Sequence, residues 1–384
     1  MLDILYQKSI EKKEEINEYF DNIIEEINLE KVEKEYKKYE FTKTKQDKNF
    51  AAIDGSFNKK KFMPAYLYTI TSQTIISKKN LDAQKESASG EISTVSTIYN
   101  QKIDKILSTY MSILELKSTI DTLKKHQDID YMLLDGSISG TLVNYHEIDL
   151  GKELNELIKG LSINNIPKEF EEDNITLEII TERIKSFVLS ECEKVINKNN
   201  LEYNLNDIEM DIILALAGFE ELFAISYLLK NFKEKIICVS KTSTTKTLFN
   251  EKIPDAAVIE YVCNVSGYTK PLKHDSMRPV RYVNNVKRQV DFPVEKIQLS
   301  NTPYKVFFTK LEDTSNVLKI EIPYDIPDEK ILDILNDLES ISVNGYPHIL
   351  KRAHDEVKIK TKHLERIARN MGLYEKTGRD MLEN

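Results

Sequence analysis

The sequence predicts a mixed α/β fold, a sheet covered by helices. Two observations carry that expectation. First, two apolar runs end in the same triplet: Asn49-Phe50-Ala51-Ala52-Ile53-Asp54-Gly55-Ser56 and Tyr131-Met132-Leu133-Leu134-Asp135-Gly136-Ser137. Short apolar runs bounded by glycine read as buried strands, each ending in a carboxylate and then turning. Second, the stretches around them carry apolar residues at helical spacing.

Taken in order, residues 1–45 are dense in Glu and Lys, with Ile16, Phe20, Ile23, Ile24 and Ile27 at helical spacing. They predict one amphipathic helix, packed on its own domain or on a partner. The first Asp-Gly-Ser strand follows. The aromatic run from Phe62 to Ile76 predicts its hairpin partner. Residues 91–126 predict a single long helix whose apolar face runs from Ile103 to Leu116 and includes Glu115. After the second Asp-Gly-Ser strand, residues 150–200 read as a charged helical insertion. Asp207–Lys230 reads as a helix and Lys235–Ser240 as a strand. Further strands are expected over Ala256–Val262, Tyr304–Leu311 and Val317–Ile322. Helices are expected over Pro327–Ser340 and Tyr346–Met371. No repeat or flexible linker divides the chain, so residues 46–384 read as one domain behind the N-terminal segment.

Composition narrows the function classes. The 384 residues are 41% apolar and 30% charged, which describes a folded, soluble chain. Ile212 to Leu229 is the most apolar stretch, but Glu220 and Glu221 in its middle favour a core helix over a membrane span. Cys192, Cys238 and Cys263 form no CxxC pair, and Met1-Leu2-Asp3-Ile4 leads into charged residues; a cytoplasmic location is expected. A net charge of −9 argues against a protein that coats DNA, yet leaves room for a nucleic-acid enzyme with a local basic track.

The chemistry begins with Asp54 and Asp135. Either triplet alone reads as an ordinary turn; two of them on paired strands would bring two carboxylates to one sheet edge. Such a pair needs a proton or a divalent cation. Glu115, on an apolar helix face, is either ion-paired with a neighbour such as Lys117 or completes a cluster of three carboxylates. All-oxygen ligation of that kind suits Mg²⁺ or Mn²⁺ and phosphodiester displacement. Lys241, just past a strand end, is a candidate phosphate contact, and no P-loop motif is present. Tyr346 and His354 stand about two helical turns apart in Gly345-Tyr346-Pro347-His348-Ile349-Leu350-Lys351-Arg352-Ala353-His354, while His348 and His363 read as surface residues. Lys270, Lys273, Arg278, Arg281, Lys287 and Arg288, with Tyr268 and Tyr282 among them, form a candidate strand-tracking loop. Arg352 is a further candidate for DNA contact.

An Asp-Gly-Ser strand, a helical Glu, a Leu-Asp-Gly-Ser strand, a Val-Ser-Lys strand end and a late Gly-Tyr-Pro with Ala-His appear in an order that resembles the NurA family of nucleases. The resemblance runs from Ala51 to Ile359. It implies a ribonuclease-H-like core and a Mn²⁺- or Mg²⁺-dependent deoxyribonuclease, a 5′–3′ exonuclease and single-strand endonuclease. It further implies end resection in recombinational repair with a hexameric HerA-type translocase, and a homodimer whose sites face a DNA channel. By position, Asp54, Glu115, Asp135 and His354 would be metal ligands, Tyr346 would shape the site and Lys241 would meet a phosphate. Glu91 and Lys246 are the alternatives to Glu115 and Lys241. Two other readings compete: an actin-like or sugar-kinase-type phosphotransferase with two Asp-Gly-Ser phosphate loops, and a non-enzymatic helical interaction protein.

Overall fold

The computed structural model describes residues 2–42, 45–79, 82–96, 101–145, 148–171, 175–275, 280–283, 286–289, 299 and 302–373. Its centre is a ten-stranded mixed sheet. Three strands form its long antiparallel part: β2 (Phe50–Lys61), β3 (Ala65–Ser77) and β4 (Gln84–Ser96), with β1 (Tyr36–Lys38) at the far end of the sheet. β5 (Tyr131–Asp135) lies parallel to β2, and β6 (Ile236–Ser240) parallel to β5. Beyond β6 come β12 (Leu318–Ile322) and β11 (Tyr304–Lys310), then β7 (Gly267–Thr269) and β1, with β8 (Leu272–His274) also on β11. A separate ribbon pairs β9 (Val280–Val283) with β10 (Val286–Gln289), and β13 (Ser342–Val343) pairs with β14 (Tyr346–Pro347).

Side-chain alternation along a strand sends successive residues to opposite faces. On β2, Ala51 and Ile53 join a core with β5's Met132 and Leu134. That core is covered by the helices α4 (Ile103–Lys125), α5 (Ile138–Val143), α6 (Lys152–Asn165), α7 (Lys168–Glu171), α8 (Ile180–Asn199) and α9 (Leu205–Phe232). Phe50, Ala52 and Leu133 point the other way, into a second core with the helices α11 (Glu329–Ser340) and α12 (His348–Val357). Each such buried Leu, Ile or Phe contributes about 1.5–3 kcal/mol, so the two cores on either face clamp the central strands.

Most expected elements are present, and four differ for identifiable reasons. Residues 1–45 form three helices, α1 (Leu2–Glu11), α2 (Lys13–Glu25) and α3 (Leu29–Glu35), followed by β1, instead of one helix. The break is chemical: the Asn28 side chain accepts from Lys31 N at 3.0 Å and starts α3 afresh, burying Ile27 and Val32. Residues 91–96 belong to β4 and not to the following helix, because Ile92, Thr94 and Val95 are β-branched and pair with β3. Ala256–Val262 lies in a helix, α10 (Asp255–Val262); the Asp255 carboxylate accepts from Leu248 N and Phe249 N at its start. A short apolar run carries no period of its own, so its sequence alone does not separate helix from strand. The C-terminal stretch divides into β14, α12 and α13 (Thr361–Asn370), broken where Lys360 is extended.

The apolar helix α9 is the one described helix long and apolar enough to cross a membrane. It is a core helix here: Glu220 and Lys117 of α4, both fully buried, pair at 2.8 Å between the two helices.

Candidate active site

The two triplets behave differently. Gly136 takes φ +145°, turning the chain out of β5, and Ser137 caps α5 by accepting from Gly140 N at 3.0 Å. Asp54-Gly55-Ser56, by contrast, makes no turn: β2 runs straight through it to Lys61. The glycine serves packing. A Cβ built on Gly55 would lie 2.5 Å from Glu115 Oε1 and 2.7 Å from Met111 Cγ. The missing side chain is the space through which Glu115, on α4, reaches the strand from the helical face.

Asp54 and Asp135 come together through register. β2 and β5 pair in parallel up to Ile53 and Leu134, so each carboxylate is the next residue on its own strand. By alternation both side chains leave on the α12 face. Lys241, one residue beyond β6, shares that face with Val239 and stands 3.1 Å from Asp135 Oδ2. His354, on α12, places Nδ1 2.8 Å from Asp54 Oδ2, while Gly55 N donates to Asp54 Oδ1 at 2.9 Å. Tyr346 lies beneath Lys241, whose Nζ is 4.6 Å from the ring centroid. The six candidates therefore form one constellation drawn from five elements and a strand end.

Crowded carboxylates alter one another's acidity. Burial, then Asp135, raise the Asp54 pKa, partly offset by His354 and Gly55. Glu115 is driven well above the ordinary range, by enclosure first and then by Asp54 and Asp135. The Tyr346 hydroxyl is raised by burial and the same two aspartates; it lies beside Asp135 without a hydrogen bond of ordinary geometry.

The alternatives resolve by position. Lys117 does not pair with Glu115; two residues apart on a helix, they face different sides, and Lys117 is paired with Glu220. Glu91 sits on β4 opposite Ile70, near Glu182 and Glu178. Lys246 donates to Lys252 O, away from the carboxylates. His348 is no free surface residue, since its Nδ1 is 2.7 Å from Ile341 O; His363 is exposed as expected.

The expected basic loop is less available than its composition suggests. Lys273 is paired with Asp325 at 2.6 Å and Lys270 approaches Glu35 at 3.9 Å. Arg352 donates to Ala83 O. Arg278 lies outside the described residues. Arg281, Lys287 and Arg288 lie on the β9–β10 ribbon, Arg281 opposite Arg288, and their side chains are outside what is described.

One supporting group escaped the sequence reading. Glu321, on β12 and 1% exposed, accepts from Ser139 N at 2.7 Å, Ser137 Oγ at 2.6 Å and Ser139 Oγ. It thereby fixes the turn that follows Asp135, and Ser240 Oγ adds a bond to Gly136 O at 2.7 Å. Nothing in the local sequence of β12 marks Glu321; only the neighbouring strand gives it meaning.

Among the described residues, no three acidic, histidine or cysteine side chains are already closed into an ion cage. The donor chemistry nonetheless fits a hard divalent ion: Asp54, Asp135 and Glu115 offer carboxylate oxygens, and their mutual repulsion is what a cation would relieve.

The NurA domain model matches residues 48–359, more than half of the chain. A probable DNA double-strand break repair nuclease NurA of Methanocaldococcus jannaschii is 28% identical, over 98% of this chain and 89% of that protein. The DNA double-strand break repair nuclease NurA of Saccharolobus solfataricus is 22% identical, over 97% and 96%. In three dimensions the chain is similar to the crystal structure of the NurA nuclease from Sulfolobus solfataricus, with a TM-score of 0.70, 20% identity and 97% of both chains covered. It is also similar to a crystal structure of NurA bound to dAMP and manganese, with a TM-score of 0.66, 14% identity and 98% and 99% coverage. With the family model spanning both triplets, Glu115, Lys241 and the Tyr346–His354 segment, the chain belongs to the NurA domain family.

Proposed function

We propose that this chain is a Mn²⁺- or Mg²⁺-dependent deoxyribonuclease that processes DNA ends in double-strand break repair. One observation carries the reading: Asp54 and Asp135 meet on one sheet face while Glu115 reaches them through the gap at Gly55. Support comes from the relatives named as double-strand break repair nucleases and from the manganese-bound NurA structure.

Asp54, Asp135 and Glu115 would hold the metal, with His354 as a further ligand or proton-transfer group. A divalent ion there would neutralise charge on the scissile phosphate and acidify a water. The protein groups do the rest. Lys241, 3.1 Å from Asp135 at the same sheet end, would offset phosphate charge. Asp54 orients the His354 ring through Nδ1, so that the other ring nitrogen is the one presented for proton transfer. The half-buried Tyr346 ring holds the Lys241 ammonium in place.

The finer reading follows the family. Residues 46–384 are the nuclease domain, with the 150–200 helices as an insertion and the 1–45 segment at a dimer or partner contact. The activity is 5′–3′ exonuclease and single-strand endonuclease, carried out in the cytoplasm by a homodimer with a HerA-type translocase. The phosphotransferase alternative is disfavoured by β2, which passes straight through the first triplet and leaves no phosphate loop there.

The test is cleavage of linear single- and double-stranded DNA with Mn²⁺, Mg²⁺ or EDTA, beside Asp54→Asn and Asp135→Asn. Cleavage that needs the metal and is lost in both variants is expected. Undiminished cleavage by either variant overturns the site.

A further inference from the structure

β5 ends at Asp135, but β2 continues from Asp54 to Lys61 with β3 as its remaining partner. Among the described residues no strand pairs with the β2 edge from Asp54 onward, and this unpaired stretch begins at a proposed catalytic carboxylate. The far end of this edge is Lys59-Lys60-Lys61. The α12–α13 connection lies over the same stretch: Asn58 Nδ2 donates to Ile359 O at 3.1 Å, and Ile359 N to Ser56 Oγ at 3.4 Å. Those bonds, with Thr71 Oγ1 of β3 donating to Val357 O at 3.2 Å, hold Lys358 and Lys360, both exposed, on either side of Ile359 over the α12 face of β2 and β3, with exposed Lys362 at the start of α13.

We propose that this unpaired edge, flanked by Lys59 and Lys61 on the α4 side and by Lys60, Lys358, Lys360 and Lys362 on the α12–α13 side, is the track that holds the phosphates of a single DNA strand next to the cleaved bond. The proposal deepens the nuclease reading and rests on it. Asp54 to Lys60 spans roughly 20 Å at about 3.3 Å per strand residue. With stacked nucleotides rising about 3.4 Å each, that accommodates about four to six phosphates. Two lysines have acidic neighbours, Lys59 with Asp104 at 2.7 Å and Lys60 with Glu365 at 3.8 Å. Both acids are exposed, although the two lysines are only a quarter exposed, so solvent screens these pairs and a phosphate can compete with the acid for the ammonium. The positive groups lie on an otherwise acidic chain of net charge −9, which confines a polyanion to this face.

The test is binding of a labelled single-stranded oligonucleotide in EDTA across a salt series, by the full-length chain and by Lys358→Gln/Lys360→Gln. Each lost phosphate contact lowers the slope of log K against log salt by about 0.7. A slope reduced by about 1.4 in the double variant, with KM raised and kcat kept in Mn²⁺, is the expected result. Lys194→Gln/Lys198→Gln on α8, which removes the same charge elsewhere, should leave the slope unchanged. A slope and KM equal to wild type overturn the track, and so does a wild type that binds no oligonucleotide. Should wild type bind with the expected slope yet cut nothing, the nuclease reading fails while the track stands.

Discussion

Glu115 Oε1 lies 2.5 Å from where a Cβ on Gly55 would stand, so a strand glycine and a helical glutamate share one small volume. Gly55→Ala forces the two apart. The obstructing atoms belong to the flexible side chains of Glu115 and Met111, which can rotate away, so the stability cost should stay near about 1–2 kcal/mol. The functional cost should be larger, because the rotation withdraws a carboxylate from Asp54 and Asp135. We expect Mn²⁺ affinity, measured by calorimetry, to fall at least about tenfold, roughly the worth of one supporting group at a metal site. Unaltered Mn²⁺ affinity would show that Glu115 contributes no ligand.

The raised pKa values of Asp54 and Glu115 set the sign of a second effect. Unfolded, both ionise near pH 4; folded, they hold protons to higher pH. Between those values the native state binds more protons than the unfolded one, so without metal its stability falls as pH rises. Asp54→Asn removes a repelling charge and should raise the melting temperature in EDTA at pH 8 while abolishing cleavage. The gain should shrink as the pH is lowered, since the raised pKa keeps the wild-type carboxyl protonated to higher pH than in the unfolded chain. Mn²⁺ should stabilise wild type more at pH 8 than at pH 5.5. Calorimetric scans with EDTA or Mn²⁺ decide it, and a melting temperature at pH 8 that Asp54→Asn lowers would count against carboxylate repulsion.

How far the site can be read from the chain follows from these residues. Asp54 and Asp135 were legible because each closes a short apolar run, and their meeting follows from parallel register once both runs are strands. The role of Gly55 was not legible, since a glycine after aspartate reads as a turn until the strand is seen to continue. Glu321 and the Lys117–Glu220 pair were hidden for a different reason. Their meaning comes from partners 182 and 103 positions away in sequence, such as Ser139 for Glu321 and Lys117 for Glu220. The N-terminal helices were merged and α10 misread because Lys- and Glu-rich periodicity runs through a cap, and a short apolar run has no period. The two Asp-Gly-Ser motifs thus pointed to the carboxylates that meet, while element boundaries depended on tertiary neighbours.

Tyr346 offers a cleaner separation of stability from function. Its hydroxyl is buried without a hydrogen-bond partner among the described residues, while its ring supports Lys241. Removing an unsatisfied hydroxyl costs the fold nothing, so Tyr346→Phe should change stability by between zero and a gain of about 1 kcal/mol. Because the ring persists, Lys241 should stay in place and cleavage should fall less than about tenfold. Tyr346→Ala removes the ring as well and, the ring being half-buried, should cost about 1–3 kcal/mol, less than a fully buried aromatic, with a much larger loss of kcat. If Phe lost as much activity as Ala, the hydroxyl would be acting on the substrate and the ring would not be the working part.

The Lys117–Glu220 pair makes the opposite prediction, all stability and little chemistry. Both side chains are fully buried; Glu220 also accepts from Ile180 N at 2.9 Å and from Thr181 N and Oγ1 at 2.8 Å, closing the start of α8. Lys117 additionally donates to Glu178 O. Truncating one member strands the other's charge in the interior, so Lys117→Met should destabilise by about 3–5 kcal/mol in denaturant unfolding. Glu220→Leu should cost at least as much, because it also orphans two backbone N–H groups that Lys117→Met leaves satisfied. Lys117 points away from Asp54 and Asp135, so at temperatures where the variants remain folded kcat should stay within about twofold of wild type. A denaturation midpoint unchanged in Lys117→Met would mean that the insertion helices are held to α4 by apolar packing alone.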